Sequence, residues 1–391
     1  MAGALINAAT AAFTGLERME RNSVMLVCQS TIKTVVIISL VILGLGTTGA
    51  TIGYATGALM AGLIGTVLMW KSYKLLPKPT NNKLEIKAYI TVMFKYGLPL
   101  SIATIIGSFF VQFLVFLLPI YYVTDNIMIG NYGVASNFVV LIGFFAAPII
   151  TMLFPAFSKL DPVKDKQTLK NVFQFSVKYA ALLVVPVAAL IMSLSEPAVS
   201  TLFGNTYAFA PLFLTLLAIT YIYSAFGNLS SINLINGQGQ TQFNLKLTVL
   251  QVAIGFPMGY LLIMNFGVIG LLVTSLTCVI PSLIISLLFI KKNYGVTVDW
   301  VSSAKIILSS AIAATLTYTL IAQLSFASWI RLLIGVVVFL MVFIVAVLLT
   351  RTVDKSDIAN FRDMTSNLGP VGKLVNILLT IMEKLMTALK R

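Results

Sequence analysis

Three polar side chains stand out in an apolar stretch near the start of the sequence: Asn22, Gln29 and Lys33. At 100° per residue they fall within ~40° of one another on a helix. An ammonium and two amides on one helical face can hold an anion, with the amides taking its oxygens. Lys33 lies about ten residues inside its apolar run, ~15 Å deep and beyond the reach of its own side chain to water. It therefore faces a polar cavity or bonds helix carbonyls. Lys95, just ahead of Pro99, and Lys178, at the end of a Lys170–Gln174–Lys178 stripe, lie shallower and either snorkel to the surface or meet an anionic ligand. Two further stripes carry hydroxyls and amides: Ser101, Thr104, Ser108 and Gln112 within ~80°, and Ser224, Asn228 and Ser231 within ~60°. Each either bonds a neighbouring helix or lines a water-filled cavity for a hydroxyl-rich ligand.

The residue types that are missing limit the chemistry. There is no histidine, which excludes a His-bearing metal or catalytic site. The only cysteines, Cys28 and Cys278, lie in apolar runs and form no disulfide framework. Asp125, Glu196 and Arg331 are scattered on what is read below as the outer side, with no clustered acid or base for an enzyme there. Neither a metal nor an organic cofactor is implied.

The elements that position these residues are membrane helices. Of 391 residues, 59% are hydrophobic and 10% charged, against about 25% charged in a soluble domain. The apolar residues form continuous blocks of the ~20 residues that cross a ~30 Å hydrocarbon layer as helix. Ten complete spans are expected, at about 23–44, 49–70, 96–120, 127–154, 179–195, 207–230, 247–265, 267–290, 306–321 and 332–350, with residues 1–14 resembling the second half of another helix. Met1 opens directly onto AGALINAATAAF, so no signal peptide is expected. Basic residues sort by side. Arg18 and Arg21, the loops at 71–87, 155–170 and 291–305, and the tail from Arg351 carry the lysines and arginines, while the alternate loops are short and almost uncharged. The basic set is expected to be cytoplasmic, which accounts for the +14 net charge without invoking nucleic acid. At the C-terminus Leu374, Leu378, Ile381, Leu385 and Leu389 line one face of an expected amphipathic helix on the inner membrane surface.

The sequence also repeats itself. TGLERMERNSVMLVCQS at 14–30 matches NGQGQTQFNLKLTVLQV at 236–252, placing Gly15, Asn22 and Gln29 on Gly237, Asn244 and Gln251. Gly46 and Gly49 fall on Gly267 and Gly270. A stripe of small residues follows each: Gly49, Gly53, Gly57, Ala61 and Gly65, then Gly270, Thr274, Cys278, Ser282 and Ser286. Small residues at every fourth position let helix backbones approach closely in lipid. Six spans separate the copies, so the repeats are parallel. The fold class expected is all-α integral membrane, with parallel six-helix lobes. Residues 1–71 are the remnant of a first, incomplete lobe and 72–87 a basic cytoplasmic linker. Residues 88–291 make the second lobe, 292–350 two additional spans, and 351–391 a cytoplasmic tail with the amphipathic helix. If the copies match in length, roughly 130 residues would precede Met1.

The repeat segments, together with FKYGLPLSIATIIGSF, DNIMIGNYGVASNF, TMLFPAFSKL and LFGNTYAFAPLFLTLLAI, resemble the Wzx-type polysaccharide and oligosaccharide flippases of the multidrug/oligosaccharidyl-lipid/polysaccharide exporter superfamily. The resemblance covers about 14–295. It implies two six-helix lobes that rock in alternating access, a location in the cytoplasmic membrane, and a polyprenyl-pyrophosphate-linked sugar as the substrate partner of a monomer. Lys33, Gln29, Asn22, Lys95, Gln112, Ser108 and Asn228 are then the expected contacts for pyrophosphate and glycan. Gln112 and Phe113 stand where many relatives place an Asp-Arg pair, and the first three helices of the family are absent. Two other readings remain open at this point. A cation-coupled multidrug exporter of the same superfamily would want an intramembrane carboxylate, and all twelve Asp and Glu lie in loops, the tail or span ends. The other reading is a non-transporting fragment.

Overall fold

A computed structural model describes residues 2–16, 18–75, 86–122, 126–354 and 357–359, with positions 362, 376, 380 and 383. Most of the expected amphipathic C-terminal helix, most of the 72–87 linker and Asp125 lie outside these. The described residues are almost entirely helical: α1 (Ala2–Gly15), α2 (Met19–Leu40), α3 (Gly46–Lys74), α4 (Ile86–Tyr121), α5 (Asn126–Ser158), α6 (Lys166–Ser193), α7 (Ser195–Phe203), α8 (Ala210–Ile222), α9 (Asn228–Gly237), α10 (Thr241–Thr277), α11 (Val279–Tyr294), α12 (Trp300–Gln323) and α13 (Ser328–Leu349). Large apolar side chains such as Ile42, Leu43, Met93 and Phe144 are more than two-thirds exposed. In water such a surface would aggregate, and in lipid it is the expected exterior.

Seven helical stretches among the described residues are long and apolar enough to cross a membrane. Two of these, Met19–Lys74 and Thr241–Tyr294, run past 50 residues and are hairpins. In the first, Gly49, Gly53 and Gly57 of α3 lie against Leu40, Ile37 and Lys33 of α2, so the helices are antiparallel. In the second, Gly259 meets Thr274 and the Ser282 hydroxyl donates to Leu247 O at 3.0 Å. A bent pair, α8 with its following turn and α9, is together also long and apolar enough for a span. The chain is therefore a multi-pass helical membrane protein.

The chain divides into two compact units, 1–90 and 91–391. In the first, α1 packs on α3 through Leu5, Ala9 and Phe13, and Met25 of α2 closes the small core. All five small residues of the α3 stripe are buried. A Cβ on Gly53 would stand 2.5 Å from Ile37 Cγ1, and one on Gly57 2.7 Å from Lys33 Cβ, so the stripe exists to admit α2. The turn at Gly46 has φ 49°, ψ −129°, and that at Gly267 φ 57°, ψ −129°. This region of backbone space is accessible essentially to glycine alone. The matching conformations show that the sequence similarity between the hairpins extends to their turns.

The second unit holds α5, α6, α8 and α9 around apolar clusters built on Phe213, Leu214, Phe173 and Val184. Two expectations change here. The span expected to run unbroken over 207–230 bends by 55° between Phe226 and Asn228 and continues to Gly237. Gly227 adopts φ +84°, a left-handed conformation that ends one helix before the next begins. The segment 194–205, expected as an outer loop, contains a further helix, α7. One buried polar residue locks this unit together: Asn131 Oδ1 accepts from Phe209 N and Ala210 N at 3.0 and 2.8 Å, capping α8 from α5. Asn131→Ala should destabilise the protein by about 1–3 kcal/mol, since it leaves donors unsatisfied in a buried site. Thermal unfolding in mild detergent would show it, and an unchanged midpoint would mean that Pro211 alone starts α8.

Candidate functional site

The polar face of α2 is positioned by its hairpin. Asn22 is buried and its Oδ1 accepts from the Thr10 hydroxyl of α1 at 3.0 Å. Arg21, one residue earlier, donates to Leu68 O and to the Ser72 hydroxyl, tying the start of α2 to the end of α3. Gln29 is half-buried. Lys33 leaves the α2–α3 seam beside Gly57, and its Nζ lies 5.4 Å from the centroid of the Tyr54 ring. A ring face holds a cation electrostatically, by about 2 kcal/mol where water is scarce. The expectation that Lys33 has only water, carbonyls or an anion to face is thus amended: its own hairpin supplies an aromatic partner. Tyr54 was missed because no charge or motif marks it. The antiparallel pairing of Lys33 with Gly57 places it one turn away. In the second hairpin the position matching Lys33 is Gly255, where the Phe110 ring of α4 fills the space a Cβ would need.

Within the second unit, Ser101, Thr104, Ser108 and Gln112 are all exposed along α4, while Ala103, Phe110, Leu114 and Leu118 on the opposite side are buried. The polar stripe is therefore the side of α4 that this unit leaves uncovered. Lys95 is exposed as well, and the neighbouring Tyr96 hydroxyl donates to Asn236 O at 3.1 Å. The stripe on the bent span behaves differently. Ser224 is buried and bonds back to Tyr221 O, and Ser231 is buried against Gly227. Asn228 is half-buried.

Lys178 does not snorkel. Its Nζ stands 2.6 Å from Oδ2 of Asp357, whose Oδ1 accepts from the Tyr179 hydroxyl at 3.1 Å. On the opposite side of the unit, Arg331 grips Glu196 through both terminal nitrogens at 3.1 and 3.2 Å, joining two residues that looked scattered in the sequence. Outside the spans, the Asp161 carboxyl is lowered below its ordinary range because Val163 N and Lys164 N donate to it. Asp299, which caps α12, is pushed up by burial, but donation from Ser302 and Val301, with the nearby Lys178 charge, outweighs that and leaves it lowered.

Residues 4–161 match the polysaccharide biosynthesis protein family. Over those residues the chain is similar to that family. It is 22% identical over 312 residues to a protein named as a probable low-salt glycan biosynthesis flippase, Agl15 of Haloferax volcanii, covering 78% of this chain and 63% of that one. An uncharacterized membrane protein of Methanocaldococcus jannaschii, MJ1068, is 25% identical over 203 residues, 52% of this chain and 40% of that one. Among solved structures, the lipid II flippase MurJ in an inward closed conformation superposes with a TM-score of 0.60 over 88% of this chain and 70% of that chain, at 16% identity. The likeness establishes a MurJ-like all-helical fold. The chain spans less than two-thirds of the length of these curated relatives.

Proposed function

We propose that this chain moves polyprenyl-pyrophosphate-linked oligosaccharide or polysaccharide units from the inner to the outer leaflet by alternating access. The observation that carries the reading is the uncovered polar stripe of α4, Ser101, Thr104, Ser108 and Gln112. A Gln amide turned toward hydrocarbon has nothing to bond, at a cost of several kcal/mol. Facing water and glycan hydroxyls, the same stripe is satisfied. Lys33, with Gln29 and Asn22 behind it, supplies the charge for pyrophosphate, and an anion has only to displace the weaker Tyr54 contact. Lys95 attracts the headgroup nearer the inner surface, and Asn228 offers an amide at the break in its span. The names of Agl15 and MurJ, both flippases, support the same reading. Residues 1–71 and 88–291 act as lobes built on one repeat, whose hairpins share turn conformation and small-residue seams, and 292–350 add two spans.

The test is cysteine accessibility in a Cys28→Ser, Cys278→Ser background. Ser108→Cys, ~20 Å along α4 from its Tyr121 end, should react with a membrane-impermeant thiol reagent. Lipid-linked oligosaccharide should slow that reaction. A cysteine there that stays unreactive from both sides of the membrane would place the stripe against lipid and remove the main support for a glycan pathway.

A further inference from the structure

We propose that a groove beside the inner end of α11 holds one anionic phospholipid, separate from the transport pathway. The α11 helix ends on Lys291 and Lys292, both exposed, and Gly295 turns the chain out of the helix with φ +67°. The segment after it runs back toward α12 with Val296 and Val298 buried against the unit's own core. Between this strap and the last turns of α11 lies a groove of about 300 Å³. Ile284 and Leu288 of α11, both more than half exposed, form one wall. Trp300, also more than half exposed, stands at the mouth with Lys291. Ile284 lies seven residues before Lys291, about 10 Å along the helix, enough for the upper half of an acyl chain.

The order of chemistry along this groove is that of a lipid lying in one leaflet. Carbon lines the deep part, an indole sits at interfacial depth, and an ammonium stands at the headgroup level. The charge around the mouth is one-sided. Lys166 of α6 brings its Nζ up to Gly295, adding a third ammonium to Lys291 and Lys292. No carboxylate lines the groove among the described residues. The nearest in sequence, Asp299, is turned onto its own helix, accepting from Val301 N, Ser302 N and the Ser302 hydroxyl. It does not neutralise Lys291. Besides Lys291 and Trp300, Thr297 is the only polar side chain among the described residues of the lining, too few donors and acceptors to hold the many hydroxyls of an oligosaccharide. A small anionic headgroup therefore fits and a lipid-linked oligosaccharide does not.

Native mass spectrometry of the full chain, purified in mild detergent and titrated with phosphatidylglycerol or phosphatidylcholine, tests this. The wild type is expected to retain one phosphatidylglycerol in preference to phosphatidylcholine. Lys291→Glu should weaken retention about tenfold, and Lys291→Arg should preserve it. Leu288→Trp, which fills the groove from an exposed position, should abolish retention while leaving the thermal midpoint unchanged. Equal retention of both lipids, equal retention by Lys291→Glu and wild type, no retained lipid in the wild type, or displacement by polyprenyl pyrophosphate oligosaccharide at comparable concentration would each overturn the assignment.

Discussion

Asp357→Ala is expected to destabilise the second unit by about 3–5 kcal/mol, the usual consequence of removing one partner from a buried ion pair. Asp357 is 2% exposed and accepts from Lys178 Nζ, the Tyr179 hydroxyl and the backbone N–H of Asp354. Its loss would strand the Lys178 ammonium, whose side chain is 13% exposed. The pair fastens the segment after α13 to α6, so its loss should also loosen α12 and α13. Lys178→Met combined with Asp357→Leu should cost far less than either charge removal alone, because no unpaired charge remains. Chemical unfolding in detergent, read by intrinsic fluorescence, would measure both. An Asp357→Ala protein as stable as the wild type would mean that Asp299 or water can hold Lys178 unaided.

Lys33→Ala is expected to lower translocation of the lipid-linked glycan roughly 10- to 100-fold, at unchanged abundance. A hydrogen bond to a charged group contributes about 1.5–3 kcal/mol, and each 1.4 kcal/mol is a factor of ten. Lys33→Arg should retain most of the rate because the charge persists, although its fork geometry differs. Tyr54→Leu removes only the resting partner of the ammonium, so it should change the rate by a fewfold, in contrast to Lys33→Ala. Lys95→Ala should be milder than Lys33→Ala, since an exposed lysine near the inner surface is one of several cations there. Full translocation by Lys33→Ala would assign Lys33 to the hairpin's structure, with the Tyr54 contact as its whole role.

Much of the scaffold was legible because lipid imposes a strict code. Continuous apolar blocks gave the spans, and the glycine stripe of α3 announced the close approach of α2 that Gly53 and Gly57 make. The repeat paired Gly46 with Gly267, and the structure adds that the two turn alike, in a conformation that suits glycine. What escaped were contacts set by tertiary placement. The bend at Gly227 looks like any small residue in an apolar helix, and only the neighbouring Asn228 hints at it. Asp357 read as a tail residue in a charged stretch, so Lys178 seemed free to snorkel. Asn131 carries no motif in the sequence, and the helix it caps lies nearly 80 residues further along. Tyr54 was one aromatic among many until the hairpin register set it beside Lys33. In each case the partner lies far along the chain or on another helix, where periodicity carries no signal.

The central claim, that this chain carries a lipid-linked glycan across a membrane, is tested most directly in proteoliposomes. Polyprenyl-pyrophosphate oligosaccharide is confined to the inner leaflet, and its arrival outside is followed with a soluble glycan-binding probe. The account predicts protein-dependent appearance of the glycan, slowed by Lys33→Ala and restored by Lys33→Arg. Appearance no faster than in protein-free liposomes, with the chain folded and inserted, would contradict it.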